Sequence, residues 1–580
     1  MTRVLMLGLA WLALLVAAFS EAAGQGDAGI PSEGSVPVQQ EEQSTTTAAV
    51  PDGEPVLIVP GTGDPSLDDL APGAQIVTDG EPLSMSEAVA LAIRNGLDVE
   101  VDRYAPLIAE AEAAVAWGAY DPLLNADARY EVLKTPNTFA LNPVSQNRDR
   151  VRGGGVGVTQ LIPYLGATLN ARFDARGTAT RSRLQSLDEQ FDSSFFLNAR
   201  VPLLRNLVWN QAWTNVKLAG FASESAELQF RQALMDNVQG TVNRYWALVA
   251  ARDRVRVSQK SLETARALLD QTKTQYEVGV VSQVEVVEAE AGVANREFEL
   301  IQAANSYRNE QDLLIEAVYG TKLVASTTLQ IVPTEDLQAY QLGAVDAEQS
   351  LAKAFENRPE LAVAKTTIQQ AEVELKFAKS QRLPQFDAEG RYGYVGISGD
   401  GNRQLADFNP GDGLPPVIPG DTSFADGTDD FFSRDGSNNW RVQGIFSVPI
   451  PNTAGRRGVD RSQFELRRSK SLLRRLEQGI VLEVRAASRT LLSAAQRIEA
   501  AERRRLAAEE QLRAERIRLE HGESTPFEVL QREEDLVEAE SQKINALQLF
   551  QAAEIALFRA EGTILDRHSI EVDAVRAPVR

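Results

Sequence analysis

The chain has 580 residues, no cysteine, and a formal net charge of −22, from 81 acidic side chains against 59 basic ones. Lacking cysteine, it forms no disulfide, thiolate metal site, thiol nucleophile or lipid-bearing N-terminal Cys. The acidic balance excludes a nucleic-acid binder, which needs a basic face.

Arg3, the apolar run Val4–Phe19 and the small residues around Ser20–Ala23 predict a secretory signal over 1–23. It is too short to be read as a spanning helix of the mature protein. Residues 24–83 carry eleven Asp or Glu and no Lys or Arg among Gly, Pro, Ser and Thr, which predicts a disordered acidic lead-in. A helix is expected over 86–121. Period-two segments follow: Leu124, Ala126, Ala128, Tyr130 and Val132 alternate with polar residues, as do Leu169, Ala171 and Phe173, and then Phe195, Leu197, Ala199 and Val201. From Val201-Pro202 to Tyr276 no further proline occurs, which predicts a helix of about 65–70 residues and about 100 Å. A glycine turn and a helix over 282–320 complete this half.

The second half repeats the order. A helix over 348–383 precedes the alternating Phe386, Ala388, Tyr392 and Tyr394, an acidic stretch at 400–435, and the strand Trp440–Val448. The acidic stretch holds eight Asp against Arg403 and Arg434 and reads as a loop; Asp426, Asp429 and Asp430 lack regular calcium-loop spacing. A long helix over Gly458–Leu519 carries Leu473, Leu476, Ile480, Val484, Ala487, Leu491, Ala495 and Ile498 on one stripe, an eleven-residue period that keeps it nearly straight. A second glycine turn, a helix over 525–563 and a tail over 566–580 end the chain. Residues 84–130 align without a gap on 346–392, Asn95 meeting Asn357 and Pro122 meeting Pro384. The chain is therefore an internal duplication, 84–335 and 336–565, of one helix–strand–long helix–helix unit. Two shorter helices end to end, about 58 and 54 Å, match one long helix, as in a cylinder of even height.

The alternation suits a membrane β-barrel with lipid-facing and lumen-facing sets, and one chain has too few strands to close a water-filled one. An enzyme is disfavoured. The histidines are His521 and His568, no nucleophile triad, metal cluster or phosphate loop is visible, and no cofactor is expected. Gly153–Gly157 superficially suggests a phosphate loop but fits a flexible strand better. A periplasmic coiled-coil adaptor or scaffold is the competing class; the duplication argues against it.

Two turn motifs are the most specific marks: Tyr276-Glu-Val-Gly279-Val-Val-Ser282-Gln-Val-Glu285 and Leu519-Glu-His-Gly522-Glu-Ser-Thr525-Pro-Phe-Glu528. Supported by Leu383-Pro384, Val448-Pro449 and Gly455-Arg456-Arg457, they make residues 84–565 resemble the TolC-like outer-membrane efflux family. The resemblance implies a mainly α membrane protein. Its homotrimer would form an α-barrel tunnel in the periplasm and a shared β-barrel in the outer membrane of a Gram-negative bacterium. It implies an exit duct of a tripartite efflux or type I secretion system, passively conducting cargo delivered by an inner-membrane pump through a periplasmic adaptor. Val278, Gly279, Val280, Ser282, His521, Gly522 and Thr525 would form the tips where the adaptor docks. Glu285 and Glu528 match acidic gate positions, and also suit capping boxes with Ser282 and Thr525. The family pattern is broken at Gln531, where a second acid is expected, and at Ser524, where a gate-linking Arg is often found. Two strands per half give twelve in a trimer, the expected count; an extra hairpin of Val156–Leu161 and Ala167–Phe173 would raise it to eighteen.

Overall fold

The computed structural model describes residues 80–136, 146–179, 187–322, 329–339, 343, 346–401, 423–433 and 438–572. The expected signal, nearly all of the lead-in and most of the tail lie outside these residues. In chain order the elements are β1 (Glu81–Leu83), α1 (Met85–Asn95), α2 (Leu97–Trp117), β2 (Leu123–Pro136), β3 (Gln146–Leu161), β4 (Thr168–Ala179) and β5 (Leu187–Pro202). Then come α3 (Gln211–Glu277), α4 (Gln283–Tyr319), β6 (Ile331–Pro333), α5 (Ala347–Asn357), α6 (Pro359–Gln381) and β7 (Gln385–Gly401). The last are α7 (Phe424–Ser433), β8 (Asn438–Ser447), α8 (Thr453–Glu520), α9 (Pro526–Glu561) and α10 (Ile564–Arg567). They divide into a helical unit and a sheet unit.

In the helical unit α3 and α8 run 67 and 68 residues, about 100 Å each at 1.5 Å per residue. Asn210 caps α3 by accepting from the Trp213 amide at 2.8 Å, and Asn452 caps α8 from the Gly455 amide at 3.2 Å. The two expected opening helices are each broken in two. Gly96 is extended between α1 and α2, and Arg358, extended because Pro359 follows it, separates α5 from α6. The breaks fall at equivalent positions of the two copies. The end of the lead-in is also ordered: β1 pairs parallel with β6.

That small sheet is clasped by buried polar side chains. Tyr245 Oη donates to the Leu83 carbonyl at 3.1 Å, Gln311 Nε2 to that of Ile331 at 2.8 Å, and Arg252 Nη1 to that of Pro333 at 2.6 Å. Around it lies the main core, with Phe230, Leu234, Leu248, Leu314 and Phe550 closed from solvent. The expected stripe of α8 faces inward: Ile480, Val484, Leu491 and Ile498 are buried, and Leu473, Leu476, Ala487 and Ala495 are partly so. On α2, by contrast, Leu97, Val101, Tyr104, Ile108 and Val115 form an exposed apolar stripe.

The sheet unit is an antiparallel meander in the order β2-β3-β4-β5-β7-β8. The count of two strands per half is corrected here. The suspected hairpin is present as the full-length strands β3 and β4, so the first copy contributes four strands and the second two. Register places the expected apolar sets on one face: a single row crosses Leu124, Val158, Ala171, Leu197, Tyr392 and Trp440. The other face is polar and internally paired. Arg172 bridges Asp127 and, with Nε at 2.9 Å, Asp174. Arg200 reaches Asp387 at 2.6 Å and Glu389 at 3.3 Å, and Gln443 donates to Glu389 at 2.7 Å. In the Gly153–Gly157 run, a Cβ at Gly154 would stand 2.4 Å from the Asp127 carbonyl oxygen, so glycine permits the close ladder.

Within the acidic loop, α7 lies on the apolar face. Phe424 packs edge-on to Phe191 with ring centres 4.9 Å apart, and Phe431 contacts Phe173 and Tyr394. Gly427 meets Gly396, where a Cβ would collide with its carbonyl oxygen. Asp430 accepts from the Ile397 amide at 3.3 Å and Asp426 accepts from Ser423, so two of the three expected carboxylates are engaged locally. Among the described residues no group of three acidic or histidine side chains is placed to hold a metal.

Candidate gate and docking tips

Both glycine turns end a long helix in the same way. Gly279 has φ +78° and Gly522 φ +72°, the left-handed region glycine enters without strain. The Val280 amide reaches back to the Gln275 carbonyl at 2.9 Å, and the Glu523 amide to that of Arg518 at 2.9 Å, satisfying carbonyls the helix end leaves open. The return helices start at Ser282 and Thr525. Ser282 donates through Oγ to Glu285 at 3.3 Å, and Thr525 Oγ1 accepts from the Glu528 amide at 3.4 Å. Pro526 occupies the first turn of α9, where a missing amide hydrogen is harmless.

The two acidic residues named from sequence each bond within their own turn. Glu285 is half-buried and turned to Ser282; Glu528 is exposed and accepts from Ser524 Oγ at 2.9 Å. Ser524 also stands 2.5 Å from Glu515 Oε1, so one hydroxyl proton is shared between carboxylates of α8 and α9. The Ser524 hydroxyl, then the Arg518 guanidinium, hold the Glu515 carboxyl below its usual range. Arg532 is committed to Asp535 at 2.8 Å. Val278 and Val280 are 71% and 72% exposed, and Tyr276, Val284, Val287 and Phe527 are exposed as well, giving the turns an apolar outer surface. His521 Nδ1 lies 2.8 Å from the Ile517 carbonyl oxygen.

Just behind the turns the two hairpins share a small apolar seam. Ala265 and Leu268 of α3 meet Leu512 of α8 and Val529 and Leu530 of α9, with Val293 of α4 alongside. A Cβ at Gly292 would lie 2.7 Å from Leu530 Cδ1, so glycine sets how closely α4 and α9 approach. Glu533, one turn beyond Leu530, is 3% exposed, and its Oε2 has no hydrogen-bond partner among the described residues. Burial pushes its carboxyl up to about 6, opposed by Arg516, Arg296 and a hydrogen bond with Thr264. Arg296 is itself buried and bonded to Glu299 at 2.8 Å. Other ion pairs join the two helices of one hairpin: Arg266 with Glu297 at 2.8 Å and Lys273 with Glu290 at 3.1 Å between α3 and α4, and Lys543 with Glu502 at 2.8 Å between α8 and α9. Arg296 stands 4.0 Å from Glu534 across the seam, and Arg559 joins Asp236 at 2.8 Å between α9 and α3. Sequence reasoning missed Glu515 and Glu533, because an acid in a charged helix carries no mark of burial.

The family model described as "Outer membrane efflux protein" matches residues 156–318 and 351–563. A curated relative is the "Outer membrane protein TolC" of Vibrio cholerae serotype O1, 20% identical over 388 residues, covering 67% of this chain and 81% of that protein. Among solved structures, the CmeC outer membrane channel of Campylobacter jejuni superposes with TM-score 0.55 at 15% identity, covering 83% of this chain and 86% of that one. The outer membrane protein VceC of Vibrio cholerae superposes with TM-score 0.57 at 15% identity, covering 82% and 96%. The chain shares their fold.

Proposed function

Because the chain belongs to the outer membrane efflux protein family, we propose that it is an exit duct that passively conducts cargo out of the periplasm as one of three identical subunits. Its place is the outer membrane of a Gram-negative bacterium. One observation carries the reading: a single chain joins helices of 67 and 68 residues to a sheet with one apolar and one charge-paired polar face. No described helix is long and apolar enough to cross a membrane, whereas the sheet has the lipid-facing and water-facing sets a barrel wall requires.

The exposed stripe of α2 suits burial against a second copy, which supports the homotrimer. The exposed apolar turns, with Val278, Val280 and Thr525, suit a periplasmic adaptor that couples the duct to an inner-membrane pump. Glu285 and Glu528 serve as the gate acids, with Glu515 brought beside Glu528 by Ser524. Cargo identity belongs to the pump in this reading, and no reaction is catalysed.

Single-channel recording of the purified protein in a planar bilayer tests it. Discrete, long-lived openings are expected; a soluble, non-inserting particle would move the assignment to a periplasmic scaffold. Glu285→Ala combined with Glu528→Ala should shift the reversal potential in a salt gradient without dissociating the trimer. An unchanged potential would remove both residues from the gate.

A further inference from the structure

We propose that the outer-membrane wall is an eighteen-stranded barrel, in which β8 of each copy pairs with β2 of the next and Arg441 stands opposite Glu131. The proposal rests on the trimeric duct reading and deepens it. It starts from the two edges of the sheet. All 14 residues of β2 are exposed, and neither β2 nor β8 has a second neighbour among the described strands. A lipid-embedded sheet tolerates no open edge, because its amide and carbonyl groups would go unpaired in hydrocarbon. Six strands are too few to close alone, since the smallest such barrels have eight. The helix α7 lies over β4, β5 and β7, in mid-sheet, and leaves both edges uncovered.

A second copy of the chain fits those edges. In a six-strand meander β2 and β8 run in opposite directions, so β8 of one copy meets β2 of the next antiparallel. Such head-to-tail contacts close into a ring. The strands β3 and β4 are full members of the wall, because the apolar row crosses all six strands without changing face. Three such sheets give eighteen strands.

Symmetry then narrows the register. Following the row once through a copy must advance by the same number of residues in each, and alternation of faces makes that number even. With a rise of about 3.4 Å and a strand spacing of about 4.8 Å, advances of six and eight tilt the strands by about 35° and 43°. Advances of four and ten give about 25° and 50°, outside the range barrels adopt. An advance of six sets Arg441 opposite Arg129, although Arg441 already faces Arg391 on its other side. An advance of eight sets Arg441 opposite Glu131 and Gln443 opposite Arg129, which removes the repulsion. Relative to twelve strands, the barrel is about 1.5-fold wider and about 2.2-fold larger in section. The exit then admits bulkier cargo, and size selection falls to the helical turns.

The cysteine-free chain makes the test direct. In the full-length protein, Glu131→Cys with Arg441→Cys should oxidise to a covalent three-chain ring on non-reducing gels, and neither single variant should. A ring from Arg129→Cys with Arg441→Cys instead would overturn the register. Spin labels at Val156→Cys and Ala171→Cys should be relaxed by oxygen from the lipid, and labels at Thr159→Cys and Asn170→Cys by a water-soluble nickel chelate. If all four respond to the chelate while Val442→Cys still responds to oxygen, β3 and β4 stand outside a twelve-stranded wall: the proposal fails and the duct reading survives. If Val442→Cys also responds only to the chelate, the duct reading itself fails, and the proposal with it.

Discussion

Glu533 is a carboxyl group whose setting makes pH matter. Its folded pKa, about 6, is raised from 4.5, so the folded chain holds the proton more tightly than the unfolded one. Its contribution is therefore most favourable below pH 4.5 and is lost as pH rises through about 6. A shift of this size corresponds to about 2 kcal/mol against the seam at neutral pH. Glu533→Gln should match the parent protein near pH 4.5 and exceed it by up to about 2 kcal/mol at pH 7.5; thermal melts across that range check the divergence. A constant difference at every pH would exclude Glu533 as its source. Glu502 behaves in the opposite sense: hydrogen bonds from Arg505 and Lys543 lower it to about 2, so its contribution is present above 4.5 and lost in acid. Neither environment was legible in the sequence, because Glu533 depends on what α3, α4 and α8 bring alongside and Glu502 on Lys543 of α9 as well as on Arg505 of its own helix. The turn residues were legible, since a left-handed glycine followed by a cap and an acid is a local signal.

Among elements, the long helices and their return partners were readable nearly to their ends, because proline spacing and apolar period are properties of the segment itself. The breaks at Gly96 and Arg358 were not, since helical periodicity continues on both sides. The strands β3 and β4 were only half visible: five residues from Gly153 to Gly157 include four glycines, and arginines interrupt the aliphatic alternation. The helix α7 was hidden in acidic loop composition. The seam between hairpins is where element geometry should govern opening. Gly292→Leu drives a side chain into Leu530 and should raise the time spent open in bilayer recordings. Leu530→Ala removes buried contact and should destabilise the closed turn by about 2–3 kcal/mol, seen as a lower temperature of heat-induced opening.

At the scale of the whole molecule, the two faces of the sheet should respond differently to the same substitution. Val442→Arg on the apolar face should cost about 2–4 kcal/mol at mid-membrane depth, whereas Gln443→Arg on the polar face, beside Glu389 and opposite Arg129 of the next copy, should cost less than about 1 kcal/mol. Urea titration of the membrane-embedded protein separates the two, and equal losses would contradict the assignment of faces. The duplication and alternation foretold this two-sided wall; the unequal split of four strands and two could not be read from a frame that treats both copies alike. The helix α7 adds a boundary to that wall. It covers Phe191, Ser193, Gly396 and Ser398 while leaving the acidic side chain of Asp429 exposed, and acidic side chains are costly in hydrocarbon. In the proposed duct this helix sets a waterline: acyl chains should reach no higher than its lower edge, and a probe that binds the ledge from outside the cell should report insertion depth in an intact membrane.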